Sequence, residues 1–154
     1  MQPSNSTDGP GLTTHLLHDH KRLEARFQRM VETVRTADRP TIQREWDDFE
    51  RVLLGHLAWE EQSLLPRFGL AKPVEAVLIK QDHARIRALL TDLGLQLDLR
   101  SLRAERVDEF MALLRTHSAL EERVLYRWAE TGVPAHEHEG FLTRLKHQLD
   151  GKLI

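Results

Sequence analysis

The 154-residue sequence contains no cysteine, which excludes disulfides, thiolate zinc sites, cysteine-bound iron–sulfur clusters and catalysis by a cysteine nucleophile. It also lacks a run of apolar residues long enough to span a membrane. Positive charge is not in excess, since 22 Lys and Arg against 24 Asp and Glu give a formal net charge of −2. We therefore expect no nucleic-acid partner and no membrane partner, and a chain of this length suits a single domain.

The first eleven residues are polar, rich in proline and glycine, and without the apolar segment of a signal peptide. This composition predicts a disordered N-terminal tail over residues 1–11, followed by one folded domain over residues 12–154. The absence of a signal peptide in this stretch predicts a cytoplasmic location.

Apolar residues recur at helical spacing through most of the chain, and no segment shows the alternation that is typical of a strand. Proline and glycine fall between the periodic segments. The second predicted helix, for example, runs from about Thr41 to Phe68, where Pro66 and Gly69 indicate its end. The pattern predicts an all-α fold, an up-down-up-down four-helix bundle with a short C-terminal fifth helix.

One pair of short motifs occurs twice, with roughly 60 residues between the copies. In each half an Asp-His pair precedes a His-x-x-x-Glu segment: Asp19-His20 and His56 to Glu60, then Asp82-His83 and His117 to Glu121. Six of these side chains fall within the apolar stripes of four predicted helices and so should point into the bundle. They are His20, His56, Glu60, His83, His117 and Glu121.

Burying two carboxylates among four imidazoles costs several kcal/mol unless something compensates the charges, and a metal ion would do so. Nitrogen and oxygen donors without sulfur suit iron, manganese or zinc, and two carboxylates able to bridge favour a pair of ions. Two histidines per ion, bridging carboxylates and an oxo or hydroxo bridge would leave an open position for dioxygen, nitric oxide or a peroxide. A metal-free network of buried His–Glu pairs is the alternative.

These motifs resemble those of the hemerythrin-like (HHE cation-binding) domain family, over about Leu12 to Trp128. The resemblance implies a four-helix bundle with two iron ions joined by an oxo or hydroxo bridge, zinc or manganese being the alternative metals. By the family's pattern His20 and His56 would serve one iron, His83 and His117 the other, and Glu60 and Glu121 would bridge them.

The resemblance further implies a protein that binds dioxygen, nitric oxide or peroxide for sensing, stress defence or iron–sulfur repair. The alternatives are a di-iron enzyme that turns over peroxide or nitric oxide, and a metal-stabilised interaction module. A small-ligand binding protein is favoured over an enzyme. Scattered apolar residues on the outward faces permit a homodimer.

One position departs from the pattern of oxygen-carrying hemerythrins, which have a second histidine one turn after the third-helix ligand. Here that position is Arg87, and arginine does not ordinarily bind metal. The equivalent position in the first half is Glu24. We expect Glu24 and Arg87 near the pocket, either paired with each other or with Glu24 reaching an iron; both side chains reaching solvent is the alternative.

Overall fold

The computed structural model describes residues 11–150, and within them it contains helices and no strand. The predicted tail over residues 1–11 lies almost wholly outside the described residues, as do residues 151–154. The described helices are α1 (Leu12–Thr36), α2 (Arg39–Trp59), α3 (Leu65–Ala71), α4 (Pro73–Asp98), α5 (Ala104–Glu121), α6 (Arg127–Gly132) and α7 (His138–Leu149). The prediction of an all-α protein is confirmed.

Two π-helical segments join neighbouring α-helices without a break. Glu60–Leu64 connects α2 to α3, and Glu122–Tyr126 connects α5 to α6. In the first segment the Leu65 N–H donates to the carbonyl of Glu60, five residues back. The seven helices therefore form five continuous rods, four long and one short, as the sequence predicts in number.

The second rod ends later than predicted, at Ala71 rather than near Phe68. Pro66 does not stop it, because this residue lies in the first turn that follows the π-helical segment. There the missing proline N–H removes no essential hydrogen bond. The rod begins with Asp38, whose carboxylate accepts a hydrogen bond of 2.9 Å from the Thr41 N–H and so caps α2.

The core consists of two apolar clusters that lie on either side of the predicted polar residues. The first includes Leu12 and Leu16 of α1, Leu64 and Phe68 of the second rod, Ala76 and Ile79 of α4, and Leu125 and Ala129 of the fourth rod. The second includes Leu23 and Phe27 of α1, Phe49 and Leu53 of α2, Ile86 and Leu90 of α4, and Phe110 and Leu114 of α5. Each long rod contributes to both clusters, and its histidine lies close to the boundary between the two contributions.

Helix α7 packs against α1 and α2 of its own chain. Phe141 and Leu145 are buried there, and the Phe141 carbonyl accepts a 3.1 Å hydrogen bond from the Trp59 indole. On α2, Gly55 faces the backbone of Gln148, where an added Cβ would lie 2.9 Å from the carbonyl oxygen. None of the described helices has both the length and the apolar character needed to cross a membrane.

Candidate metal centre

The six side chains predicted to point inward are all buried at the same level of the bundle. Glu60, His83 and Glu121 have no exposed surface, and the other three expose between 2 and 7%. They come from four rods: His20 from α1, His56 and Glu60 from the second rod, His83 from α4, and His117 and Glu121 from α5. Tertiary packing of these rods brings the two halves of the repeated motif together.

His20, His56, Glu60 and Glu121 form the first of two overlapping groups, here called the His20–His56 group. Each of these residues offers one possible ligand atom, and the four atoms lie within 4.8 Å of one another. Glu60 Oε1 is 2.5 Å from His56 Nε2 and 3.8 Å from His20 Nε2. Glu121 Oε1 is 3.2 Å from His20 Nε2. The Nε2 atoms of both histidines thus face the carboxylates.

The His83–His117 group contains the same two carboxylates with the other two imidazoles, again with its ligand atoms within 4.8 Å. Glu60 Oε2 lies 3.2 Å from His83 Nε2, so the two oxygens of Glu60 face different groups. Glu121 Oε1 lies 3.0 Å from His117 Nε2, and its Oε2 lies 3.3 Å from His83 Nε2. Two carboxylates shared between two pairs of histidines are an arrangement suited to two bridged cations.

The electrostatics of the site keep its carboxylates ionised. Burial alone would lower the pKa of His20 and of His83, but contacts with Glu121 and Glu60 outweigh burial and raise both values to about 10. Burial would raise the pKa of Glu60, but His56 and its other neighbours lower it well below the usual value. The pKa of Glu121 is lowered as well, against the effects of burial and of the nearby Glu60 charge. Ionised carboxylates are the form that binds a cation.

Several buried atoms of the site have no hydrogen-bond partner, which tests whether the residues fit a metal. Among them are Glu60 Oε2, Glu121 Oε1 and His117 Nε2, although oppositely polar atoms lie within about 3 Å of each. These atoms are close together but are not oriented as hydrogen bonds. An unpaired buried polar atom costs roughly 1–3 kcal/mol, and a cation bound between them would remove that cost. The residues therefore fit a metal better than they fit a closed hydrogen-bond network.

Carboxylates also lie behind three of the four imidazoles, on the side away from the centre. Asp82 Oδ2 is 3.1 Å from the Nδ1 atom of His117, and Glu122 Oε1 is 3.4 Å from that of His20. Glu61 Oε1 lies 3.7 Å from His83 Nδ1. At His117 and His20 the carboxylate is within hydrogen-bond distance of Nδ1, so it holds the proton there and leaves Nε2 free to bind metal. Glu61, in contrast, is too far from His83 for a hydrogen bond. The sequence pattern places Glu61 and Glu122 beside the candidate ligands but does not show these contacts.

Tyr126 is a member of the site that the sequence analysis did not select. Its side chain has no exposed surface, and its hydroxyl lies 2.6 Å from His20 Nε2, 2.6 Å from Glu60 Oε1 and 3.2 Å from His56 Nε2. Burial and the nearby charge of Glu60 raise the pKa of this phenol well above its usual value. In the metal-free protein the hydroxyl is therefore neutral and donates a hydrogen bond to Glu60.

Glu24 and Arg87 do not form the pair that was one of the alternatives predicted for them, and their side chains are 38 and 40% exposed. The Glu24 carboxylate forms an ion pair of 2.7 Å with Arg115, and Arg87 forms one of 2.7 Å with Glu61. Each of the two side chains instead pairs with an oppositely charged group on another rod. Glu24 nevertheless lines the cavity beside the centre, and Glu61, the partner of Arg87, lies behind the His83 imidazole.

A small cavity adjoins the centre, with room for a water-sized sphere over about 20 Å³. Its polar wall contains His20, His56, His117 and Glu121 together with Glu24 and Ser118. Its apolar wall contains Leu23, Leu53, Leu57, Ile86 and Leu114. This volume suffices for about one water molecule or a ligand of similar size.

Comparison with known proteins supports the same class of site. The family described as "Hemerythrin HHE cation binding domain" matches residues 74–151, which is about half of the chain. The match takes in His83, His117 and Glu121, and the first half of the chain repeats their order at nearly the same spacing. No curated protein and no solved structure matches the chain. With the buried imidazoles and carboxylates in place, the family match shows that this chain belongs to the hemerythrin HHE cation-binding domain family.

Proposed function

We propose that the protein holds two iron ions at this centre and binds dioxygen, nitric oxide or a peroxide there. In this proposal His20 and His56 bind one ion, His83 and His117 bind the other, and Glu60 and Glu121 bridge them. An oxo or hydroxo group would complete the bridge. Bound iron would supply redox chemistry and an open coordination position for a small ligand.

The observation that carries the proposal is the sharing of two fully buried carboxylates between two pairs of imidazoles. The oxygens of Glu60 face His56 on one side and His83 on the other. Glu121 likewise contacts His20 and His117 through Oε1 and His83 through Oε2. A single cation would leave one pair of imidazoles unused beside a buried carboxylate, whereas two cations engage all six side chains.

We also infer the up-down-up-down order of the four long rods, on which the common depth of the ligands depends. The start of α1, the end of the second rod, the start of α4 and the end of the fourth rod contribute to the same apolar cluster. The opposite ends contribute to the other cluster. Alternating directions of neighbouring rods account for this distribution.

The protein's own residues would orient the ligands and limit access to the centre. Asp82 and Glu122 fix two imidazoles through their Nδ1 atoms. The leucine and isoleucine side chains around the cavity exclude bulk water and leave room for about one small molecule. These features favour a diatomic or peroxide ligand, and roles in sensing, stress defence or iron–sulfur repair are consistent with such binding. The cytoplasmic location and the homodimer remain predictions.

A di-iron enzyme that turns over peroxide or nitric oxide is the second candidate, because Glu24 places a carboxylate at the wall of the cavity. A proton donor there would assist turnover. Its ion pair with Arg115, at 2.7 Å, would have to open before the carboxylate could reach a ligand in the cavity. Turnover that is lost in Glu24→Gln while iron content is unchanged would favour the enzyme.

Metal content of purified variants tests the ligand assignment. Wild-type protein loaded with iron(II) under nitrogen and then desalted should retain two irons per chain, and His56→Ala and Glu121→Ala should each retain fewer. His147→Ala is the matched control, since this histidine is exposed on α7 and outside both groups. Far-ultraviolet circular dichroism establishes that each variant is folded. Two irons retained by either ligand variant would show that the assignment is wrong.

The absorption spectrum separates the remaining interpretations. An iron-loaded protein whose near-ultraviolet bands change on adding oxygen or nitric oxide supports the proposed small-ligand binding. A colourless protein that is isolated with zinc and does not respond to either gas would instead support a metal-stabilised interaction module.

A further inference from the structure

Tyr126 is the only tyrosine in the chain, and its hydroxyl lies inside the His20–His56 group. It is within 3.2 Å of three of the possible ligand atoms of this group: His20 Nε2, His56 Nε2 and Glu60 Oε1. A tyrosine that merely fills space in a helical core would place its hydroxyl against a carbonyl or toward solvent.

The second π-helical segment is what brings the phenol to the centre. On a regular α-helix Tyr126 would lie about 140° around the axis from Glu121, since each residue advances about 100°. Over Glu122–Tyr126 the chain instead follows π-helical geometry, in which residues i and i+5 are neighbours. Tyr126 is five residues after Glu121 and therefore shares its face. Such segments are frequent at functional sites.

The distances match those between ligands of a single ion. With metal–nitrogen and metal–oxygen bonds of about 2.0–2.2 Å, neighbouring ligand atoms around one ion lie roughly 3 Å apart. The Tyr126 hydroxyl keeps about this spacing to His20, His56 and Glu60 at once. The phenol oxygen is also a hard donor of the kind that binds ferric iron, as tyrosine does in some haem proteins.

The matching position in the other half of the repeat has no such donor. Five residues after Glu60 stands Leu65, which is buried in an apolar cluster. The two halves of the centre therefore differ chemically, although their histidines and carboxylates repeat.

We propose that Tyr126 is a ligand of the metal ion bound by His20 and His56, which makes the two ions of the centre inequivalent. This inference rests on the proposed dinuclear centre. Metal binding would require the phenol proton to leave to solvent, and the oxygen that donates to Glu60 would then bind the ion. The added negative charge favours the ferric over the ferrous state of that ion by simple electrostatic attraction.

Visible absorption and resonance Raman spectra of the ferric, two-iron protein test the proposal. We expect a phenolate-to-iron(III) charge-transfer band in the visible and enhanced phenolate ring vibrations on excitation into it. Because the chain has one tyrosine, both signals must come from Tyr126. The zinc-loaded wild type is the control and should lack them. Tyr126→Phe removes only the hydroxyl and should lose both signals while keeping two irons per chain.

The outcomes distinguish this inference from the proposal on which it rests. Two irons per chain without a phenolate band in the wild type would show that Tyr126 only donates a hydrogen bond to Glu60. The same conclusion follows if Tyr126→Phe keeps the band. Fewer than two irons in the wild type contradicts the dinuclear centre itself, and with it this inference. The wild-type spectrum decides the question even if the variant does not fold.

Discussion

Replacing Gly55 by alanine should destabilise the protein although alanine is the better helix former. Gly55 directly precedes His56 on α2, and α7 crosses it closely enough that an added Cβ would lie 2.9 Å from Gln148 O and 3.4 Å from Gln148 C. Ordinary contacts of a Cβ begin at 3.4 Å, so the shortfall is about half an ångström. The obstacle is backbone, which cannot rotate away, and α7 must therefore move as a unit.

Two opposing effects set the magnitude. Alanine should gain up to about 1 kcal/mol over glycine from helix propensity. Overpacking of a closed interface costs roughly 1–3 kcal/mol. Movement of α7 would also weaken the hydrogen bond that Trp59 donates to Phe141, since Trp59 lies one turn after Gly55 on α2. We expect a net loss of about 1–2 kcal/mol, and since 1 kcal/mol corresponds to about 2–4 °C at this chain length, a fall in Tm of roughly 2–8 °C.

Gly140→Ala provides a matched control within α7 itself. No atom lies within 4 Å of the Cβ that this substitution adds, so only the helix propensity changes. Its Tm should be unchanged or slightly higher. Thermal unfolding followed by circular dichroism, on metal-free and iron-loaded protein, measures both variants. Gly55→Ala as stable as Gly140→Ala would refute the close packing of α7 on the helix that carries His56.

Two further predictions concern the imidazoles. Asp82→Asn should lower metal affinity by roughly 10–100-fold, because Asp82 contacts His117 Nδ1. Asp19→Asn should have a smaller effect, since the ion pair that Asp19 forms among the described residues is with Arg22 and not with an imidazole. Competition with a chelator measures both. In the metal-free protein the pKa values of His20 and His83 are about 10, against 6.5 as the ordinary value. The stabilisation of the fold by these contacts is therefore complete below pH 6.5 and is lost as the pH rises to 10. The free energy of unfolding measured in urea should fall over that interval, and a flat profile would contradict these contacts.

The inward direction of the predicted ligands could be inferred from the sequence because each lies at helical spacing between apolar neighbours. His20 between Leu16 and Leu23, and His83 between Ile79 and Ile86, are the clearest cases. An apolar stripe of this kind directs a side chain toward the core, whichever neighbouring helix packs against it. The repeat in both halves then made a shared centre the simplest interpretation, and the structure brings the residues together.

The partners of Glu24 and Arg87 could not be inferred in the same way. Both lie at the edge of a stripe, where a long side chain reaches charged groups on two neighbouring rods. Arg115 and Glu61 became their partners through the relative rotation of those rods, which helical periodicity does not determine. The contact partners of a charged residue at the edge of an apolar stripe are therefore harder to predict from the sequence than the direction of a residue within the stripe.

The contacts of Tyr126 with the candidate ligands could not be inferred from helical spacing, because they depend on a change in helical period. Leu125 and Tyr126 are adjacent and both fully buried, as are Leu64 and Leu65 at the matching place in the first half. On an α-helix two adjacent large side chains diverge by about 100°, so they seldom enter the same narrow core together. The π-helical segments, which begin at Glu60 and at Glu122, reduce that divergence. A pair of large apolar residues soon after each His-x-x-x-Glu segment was therefore a signal of altered period, and a tyrosine in that pair indicates a donor directed at the centre.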